Sequence, residues 1–508
     1  MTSPTDAAAS LSNPAERVPA GSALPPTPLA WRLALLAGVV AVAAFVTVAH
    51  ESLGRHLRAA LGIGCFIAVI AACSANLRAV RVRTILWGIG LQFVFAFLVL
   101  KFAIPAKPSD MPTTTYLRHV VTLQTTTDES GEPLKWVNPG YEVINGVASV
   151  VTKFLGFTNV GSEFVFGKLS DRATMNKALG PNNGFIFAFT ALPTIIFVSS
   201  FFTVLYYFGI LQFIVRVMAR AMMHMMGTSG AESLSAVANV FMGQTEAPLI
   251  VKPYVPRMTR SELLAMMVGG MATISGGVMA VYIRMGADPV AILATSLMAA
   301  PCGLYLSKIM LPETEVPETH GRANIKSEKL HSNAVDAAAG GASDGLYLAL
   351  NVAAMIIAFL AFIALINYLL GLPYELGWTE RSMSLTSIFS ALFYPVALLM
   401  GCEVADARMI ADLLGTKLVT NEFVAYAKLT SPEAAGGYAG VISHGGLVLA
   451  TYALTGFANI SSIGIQLGGI GSLAPTRRAD LAALGGRALL CGFLATLINA
   501  SLAGMFLG

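Results

Sequence analysis

Apolar residues run in long blocks along this chain. Residues 178–215, 345–374 and 434–476 contain no Asp, Glu, Lys or Arg at all. Each block exceeds the roughly 20 residues that cross a bilayer as a helix. The pattern predicts spans near 29–49, 58–77, 84–104, 184–208, 262–284, 289–310, 346–370, 439–468 and 483–506, about nine crossings in all. The expected fold class is an all-α polytopic membrane protein. Residues 1–28, rich in Ala, Pro and Ser, form an expected disordered tail. The stretch 57–180 carries scaffold helices, an external loop at 105–140 and an interfacial segment at 141–168. Residues 181–310 make a first half, 311–345 a charged cytoplasmic connection, and 346–508 a second half.

The blocks are interrupted in a repeated order. In 227–257, Ser229 and Glu232 have the spacing of a capping box, which starts a helix near 230. That helix runs to Met242 and meets Gly243. At ~1.5 Å per residue it covers about 20 Å, short of a ~30 Å hydrocarbon core. The polar tip GQTEAP follows, and Pro248 suits the first turn of a new helix. Two half-length helices around a polar tip describe a re-entrant hairpin over about 229–256. The next span, 262–284, is broken by GGMATISGG, with Thr273 and Ser275 between glycine pairs. In the second half a hairpin over about 403–430 turns at TNEF, with Asn421 and Glu422 at its tip. The span 439–468 is then broken by LTGFANISS. Hairpin then broken helix, twice, is the best sequence pointer to a transporter's binding site.

Composition agrees. Hydrophobic residues make up 55% of the 508 residues and charged residues only 12%, about half of an ordinary soluble domain's share. Soluble multidomain and disordered readings are excluded. The net charge of +4 says nothing about nucleic acid, but its placement orients the chain. Arg78, Arg81 and Arg83 crowd a short loop that should face the cytoplasm. The N-terminus then lies inside and the C-terminus outside. Five scattered cysteines form no CxxC pair, and seven histidines form no metal motif, so an intramembrane enzyme is a remote alternative and no cofactor is expected. A passive channel is disfavoured by the duplicated hairpins.

The tips carry the candidate chemistry. Glu246 and Glu422 each cost about 2.5–3.5 kcal/mol at the bilayer centre on an insertion scale. They should face a cavity, a ligand or an ion; the alternative is a shallow hairpin with interfacial carboxylates. Gln244, Thr245, Asn459 and Ser462 add neutral donors and acceptors suited to a ligand rich in hydroxyls and amides. Taken singly, these are as readily helix–helix hydrogen bonds. No arginine cluster marks the tips, which argues against phosphorylated substrates. Phe457 packs or stacks beside the second break. Asn239 and Thr273, with freed backbone carbonyls, are candidates for a hard-cation site.

These segments resemble the concentrative nucleoside transporters. The resemblance rests on GTSGAESLSAVANVFMGQTEAPLIVKPY, MTRSELLAMMVGGMATISGGVMAVYI, TNEFVAY and GFANISSIGIQ, and covers about residues 60–506. It implies a homotrimer with an elevator-type transport domain, importing nucleosides across a bacterial inner membrane on a cation gradient. By that resemblance Gln244, Thr245, Glu246 and Val278 contact the nucleobase. Glu422, Asn459 and Ser462 contact the ribose, with Phe457 close to the sugar. Sodium is implied at Asn239 and Thr273 by side chain and at Met242 and Ile274 by carbonyl. Some bacterial members use H+ instead, and that alternative stays open. The span within 29–56 is extra relative to the smallest members.

Overall fold

The computed structural model describes residues 26–102, 104–105, 136–180, 184, 186–321, 331–377, 382–432 and 436–506. Most of the expected tail (1–28) and external loop (105–140), and part of the 311–345 connection, lie outside them. The described chain is helical apart from one antiparallel pairing, Ile104–Pro105 with Trp136–Val137.

Three helices come first: α1 (Leu29–Val48), α2 (Arg55–Ala72) and α3 (Val82–Leu100). Next come α4 (Pro139–Gly156), α5 (Thr158–Phe166), α6 (Arg172–Leu179), α7 (Leu192–Tyr207) and α8 (Ile210–Met226). The first hairpin has arms α9 (Gly230–Ala238) and α10 (Ala247–Ile250). A helix broken at 273–275 follows as α11 (Arg260–Ala272) and α12 (Gly276–Met285), then α13 (Pro289–Met310). The second half holds α14 (Ala334–Glu375), α15 (Leu385–Leu399), hairpin arms α16 (Val404–Val419) and α17 (Glu422–Thr430), the pair α18 (His444–Leu454) and α19 (Ile460–Leu473), and α20 (Arg478–Phe506).

Among the described residues nine helical segments are long and apolar enough to cross a membrane. The number matches the sequence expectation, but one member differs. The stretch expected as interfacial at 141–168 belongs to a qualifying segment, Pro139–Leu179. The span expected at 439–468, broken at LTGFANISS, is two helices, each too short to qualify singly. Gly456 explains the break: its φ of 140° is open to glycine and strained for other residues. A side chain there would also meet Thr496 and the Ala272 carbonyl.

Three further boundaries depart from expectation. The first hairpin arm stops at Ala238 rather than Met242, because Asn239 caps it and the chain turns at once. Helix α14 begins at Ala334, inside the expected 311–345 connection. Its first turns are held because Gly341 and Gly345 let it lie directly on Ser200 and Ile196 of α7, where a Cβ would come within 2.8 Å of backbone carbon. Helix α15 was not anticipated; it turns by 120° into α16.

Burial sorts the helices into a core and a periphery. The α11–α12 pair and α13 are each 89% buried along their most apolar window, against 6% for α1 and 11% for α14. Apolar side chains on the outer helices, such as Val40, Tyr347 and Ile357, are exposed, as lipid contact requires. The base of the first hairpin is fastened by charge. The Lys308 ammonium lies 2.6 Å from Glu232 and 3.5 Å from Glu313, and donates to the Ser261 hydroxyl at 2.8 Å. Ser229 Oγ donates to Glu262 at 2.5 Å, while the capping boxes Ser229–Glu232 and Thr259–Glu262 start α9 and α11. Removing one member of a buried pair costs about 3–5 kcal/mol, because the partner charge stays behind. Lys308→Met should therefore lower the thermal unfolding midpoint in detergent sharply; an unchanged midpoint would show that the network contributes nothing.

Candidate functional site

The two breaks touch. At the first, α11 ends at Ala272 and Ser275 caps α12, its Oγ accepting from the Val278 amide at 3.3 Å. At the second, Asn459 caps α19, its Oδ1 accepting from the Ser462 amide at 2.9 Å and from the Ser461 hydroxyl at 2.6 Å. Between them the Phe457 amide donates to the Thr273 carbonyl at 3.1 Å. Each break thus satisfies a backbone group that the other exposes.

A run of polar side chains grows from this junction. The Asn459 amide donates to Glu422 Oε2 at 2.7 Å. Ser462, one turn on, accepts from Gln244 at the first tip at 3.3 Å. Gln466, one turn further, donates to Gln244 Oε1 at 3.2 Å and to the Met267 carbonyl at 3.0 Å. Gly469, the next position on the same face, receives the Thr245 side chain; a Cβ there would sit 2.6 Å from the Thr245 methyl. Glu422, Asn459, Ser462 and Gln244 are all buried. The first tip therefore docks on one stripe of α19, and the second tip reaches the start of that stripe.

Glu246 goes elsewhere. Its carboxylate accepts from the Gly243 amide and closes the tip turn. It lines a cavity of about 170 Å³ between the first hairpin and α7 and α14, with Phe202, Phe241, Ser275, Gly277 and Asp344. Val278 is buried beside the cavity's Ser275 and Gly277.

The candidate sodium residues also converge. Asn239 Nδ2 donates to the Ser235 carbonyl at 2.9 Å, while its Oδ1 is buried without a hydrogen-bond donor. Gly269 lies against Asn239 and accepts from Thr273 Oγ1 at 2.8 Å. The Gly276 amide donates to the Phe241 carbonyl at 3.0 Å, which brings 241–242 next to 274–275. An orphaned amide oxygen, a hydroxyl and the carbonyls of Met242 and Ile274 are hard oxygen donors, which suit a small hard cation.

Several groups that the structure brings to the tips were missed in the sequence. Gln466 sits one turn beyond Ser462, and helical spacing from Asn459 could have found it. Tyr282 stacks on Tyr426 with ring centroids 4.1 Å apart, and its hydroxyl faces Glu422. Lys417 is wholly buried near the second tip. Its signal was a cation five residues before the acidic tip, in an arm that also carries Asp406, Arg408 and Asp412.

Comparison with known proteins decides the family. Models described as the N-terminus and C-terminus of Na+ dependent nucleoside transporters match residues 61–107, 134–169 and 291–504. A nucleoside-recognition model matches residues 188–289. The chain belongs to the concentrative nucleoside transporter family. It is 40% identical over 457 residues to an uncharacterized transporter of Haemophilus influenzae, covering 89% of this chain and 98% of that one. It is 34% identical over 487 residues to sodium/nucleoside cotransporter 2 of Rattus norvegicus, covering 94% of this chain and 67% of that longer protein. The structure of CNTnw in an inward-facing substrate-bound state matches with a TM-score of 0.75 and 36% identity, over 89% of this chain and 99% of that one. The fold of this family is that of an elevator-type transporter with re-entrant hairpins.

The tip–stripe contact leaves no spare room. A Cβ on Gly270 would lie 2.7 Å from Gln466 Nε2 and 2.8 Å from Gln244 Cβ. Overpacking of this kind costs about 1–3 kcal/mol. Gly270→Ala should push the first tip off α19 and lower the unfolding midpoint in detergent. An unaltered midpoint would mean that the contact yields freely.

Proposed function

We propose that this chain imports nucleosides across a bacterial inner membrane, driven by inward sodium movement, as a homotrimer. The observation that carries the reading is the buried run Gln244–Ser462–Asn459–Glu422, which joins both hairpin tips through one broken helix. A nucleoside is neutral and presents ribose hydroxyls at one end and base N–H and carbonyl groups at the other. Glu422, fixed by Asn459, accepts from ribose hydroxyls, and Ser462 adds a hydroxyl partner. Phe457 covers the sugar. Gln244 and Thr245 on the first tip, with Val278, meet the base. Glu246 accepts base N–H groups when substrate enters from the cavity that it lines.

Sodium takes precedence over the proton alternative because the matching family models describe Na+ dependent nucleoside transport and because the donor set around Asn239 is made of oxygen atoms. A cation at Asn239, Thr273, Met242 and Ile274 pulls the end of α9 against the first break. That movement sets the position of Gln244, so ion and nucleoside stabilise one arrangement. The family is one of transporters, and no chemical change of substrate is part of the reading.

Orientation has structural support. Arg32 donates to the Ser74 carbonyl, Arg83 to the carbonyls of His224 and Met225, and Arg477 to those of Pro256 and Met258. The arginine-rich loop, the entry to α1, the base of the first hairpin and the start of α20 therefore share one end of the molecule. His56 meets the Met505 carbonyl, which puts the C-terminal end of α20 beside the start of α2, at the other end. Positive charge belongs inside, which gives a cytoplasmic N-terminus and a periplasmic C-terminus.

The overall reading is tested by uptake of labelled uridine and adenosine into proteoliposomes, with sodium and proton gradients imposed separately. Only the sodium gradient should drive accumulation; accumulation on a proton gradient alone would refute the coupling. Linkage is reciprocal, so sodium should tighten nucleoside binding in isothermal titration. Equal affinity with choline in place of sodium would disconnect the two sites. Glu422→Gln removes a charged acceptor worth about 1.5–3 kcal/mol. Nucleoside affinity should fall roughly 10- to 100-fold at unchanged membrane insertion; wild-type uptake would take Glu422 out of the site.

A further inference from the structure

The second hairpin carries a charge that the reading above does not use. Lys417 lies in the last turn of α16, five residues before Glu422, and its side chain is fully buried. Its ammonium donates to the Ala453 carbonyl at 2.8 Å and to Thr496 Oγ1 at 3.1 Å, and lies 5.8 Å from the centre of the Phe493 ring. Among the described residues no carboxylate lies within ion-pair distance of it, and Glu422 on the same hairpin acts on it electrostatically from farther away. The other lysine of this hairpin, Lys428, is neutralised by Asp412 at 2.5 Å.

The place of this ammonium repeats the place of the candidate sodium site. In the first half, the end of arm α9 (Asn239) meets the end of the half-helix before the break (Gly269 in the last turn of α11, with Thr273 just beyond it). In the second half, the end of arm α16 (Lys417) meets the last turn of the half-helix before the break (Ala453 of α18). Thr496 packs on the break itself, since a Cβ on Gly456 would sit 2.7 Å from its methyl. The C-terminal ends of two half-helices converge there, and helix C-termini attract positive charge. A mobile cation fits that role in the first half. In the second half a cation is covalently attached.

We infer that the Lys417 ammonium is a resident cation that fills, in the second half, the position a second coupling ion would take. It acts as a positioning residue: it ties the second hairpin to the second break and so fixes Glu422 against Asn459. The inference rests on the sodium-coupled reading above.

The test measures current and labelled uridine together in proteoliposomes, for the wild type, Lys417→Met and Lys417→Ser. The wild type should move one charge per nucleoside with hyperbolic sodium activation. Lys417→Ser opens the slot and offers a hydroxyl; its Hill coefficient for sodium should rise from about 1 to about 2, with two charges moved per nucleoside. Lys417→Met fills the slot without charge; uptake should fall more than about tenfold in inserted protein, as expected for loss of a tip contact worth 1.4 kcal/mol or more, and high sodium should not restore it. Either variant with an unchanged sodium curve and uptake rate overturns the inference. So does inserted Lys417→Ser that is inactive at every sodium concentration. Should neither variant reach the membrane, the wild-type ratio decides: two charges per nucleoside with Lys417 in place refutes the resident cation. Absence of sodium-driven wild-type uptake would instead refute the coupled-transport reading.

Discussion

The hydrogen bond from the Phe457 amide to the Thr273 carbonyl is the contact on which the site depends. A helix broken at membrane depth exposes backbone groups that lipid cannot satisfy. Two breaks placed together answer one another, and the geometry is tight. Gly456 adopts a φ of 140°, and any side chain there would strike the Ala272 carbonyl. Once the breaks are joined, other positions follow. Asn459 becomes the cap of α19 and turns its amide toward Glu422. Thr273 is brought to the end of the first hairpin arm, beside Asn239.

The side chains then divide by cost. A buried neutral amide or hydroxyl is stabilised by one or two hydrogen bonds, each worth about 0.5–1.5 kcal/mol net, and α19 offers a stripe of such partners at Ser462, Gln466 and Gly469. Gln244 and Thr245 dock there without charge. A carboxylate needs more. Glu422 has an amide donor, a nearby tyrosine hydroxyl and a lysine on its own hairpin. Glu246 has the Gly243 amide and an open cavity. The two acids therefore occupy different surroundings, although the sequence presents them as matching tips. The neutral groups between them already have protein partners, so a ligand placed there would exchange hydrogen bonds instead of creating them in an empty space.

Much of this was legible in the chain. Ser229 and Glu232 announce the first hairpin because a capping box is a local device. GGMATISGG and LTGFANISS announce the breaks because glycine and polar residues are out of place inside an apolar span. The failures share a cause, which is dependence on distant contacts. The first turns of α14 carry Asp336 and Asp344 and look like loop, yet Gly341 and Gly345 dock them on α7. Helix α15 shows no boundary signal beyond its Ser384 cap and exists by packing on α16. Gln466 is one amide in an apolar helix, and its role appears only when Gln244 arrives from 222 residues away in sequence.

The same contacts favour motion as a block. Both tips, both breaks and α20 are linked by hydrogen bonds: Gln244 to Ser462 and Phe457 to Thr273 cross the halves, and Lys417 to Ala453 and Thr496 ties the second hairpin to the second break and to α20. Separating any of these surfaces would strand buried polar groups at about 1–3 kcal/mol each. The boundary with the outer helices is different. Between the first hairpin and α7 and α14 lies the cavity lined by Glu246, with aromatic and aliphatic side chains along much of its wall. Apolar surfaces can slide past one another without leaving a donor unpaired, whereas hydrogen-bonded ones cannot. An elevator therefore has a physical basis in this molecule: cohesion is polar inside the moving block, and its cavity-lined boundary with the scaffold is largely apolar.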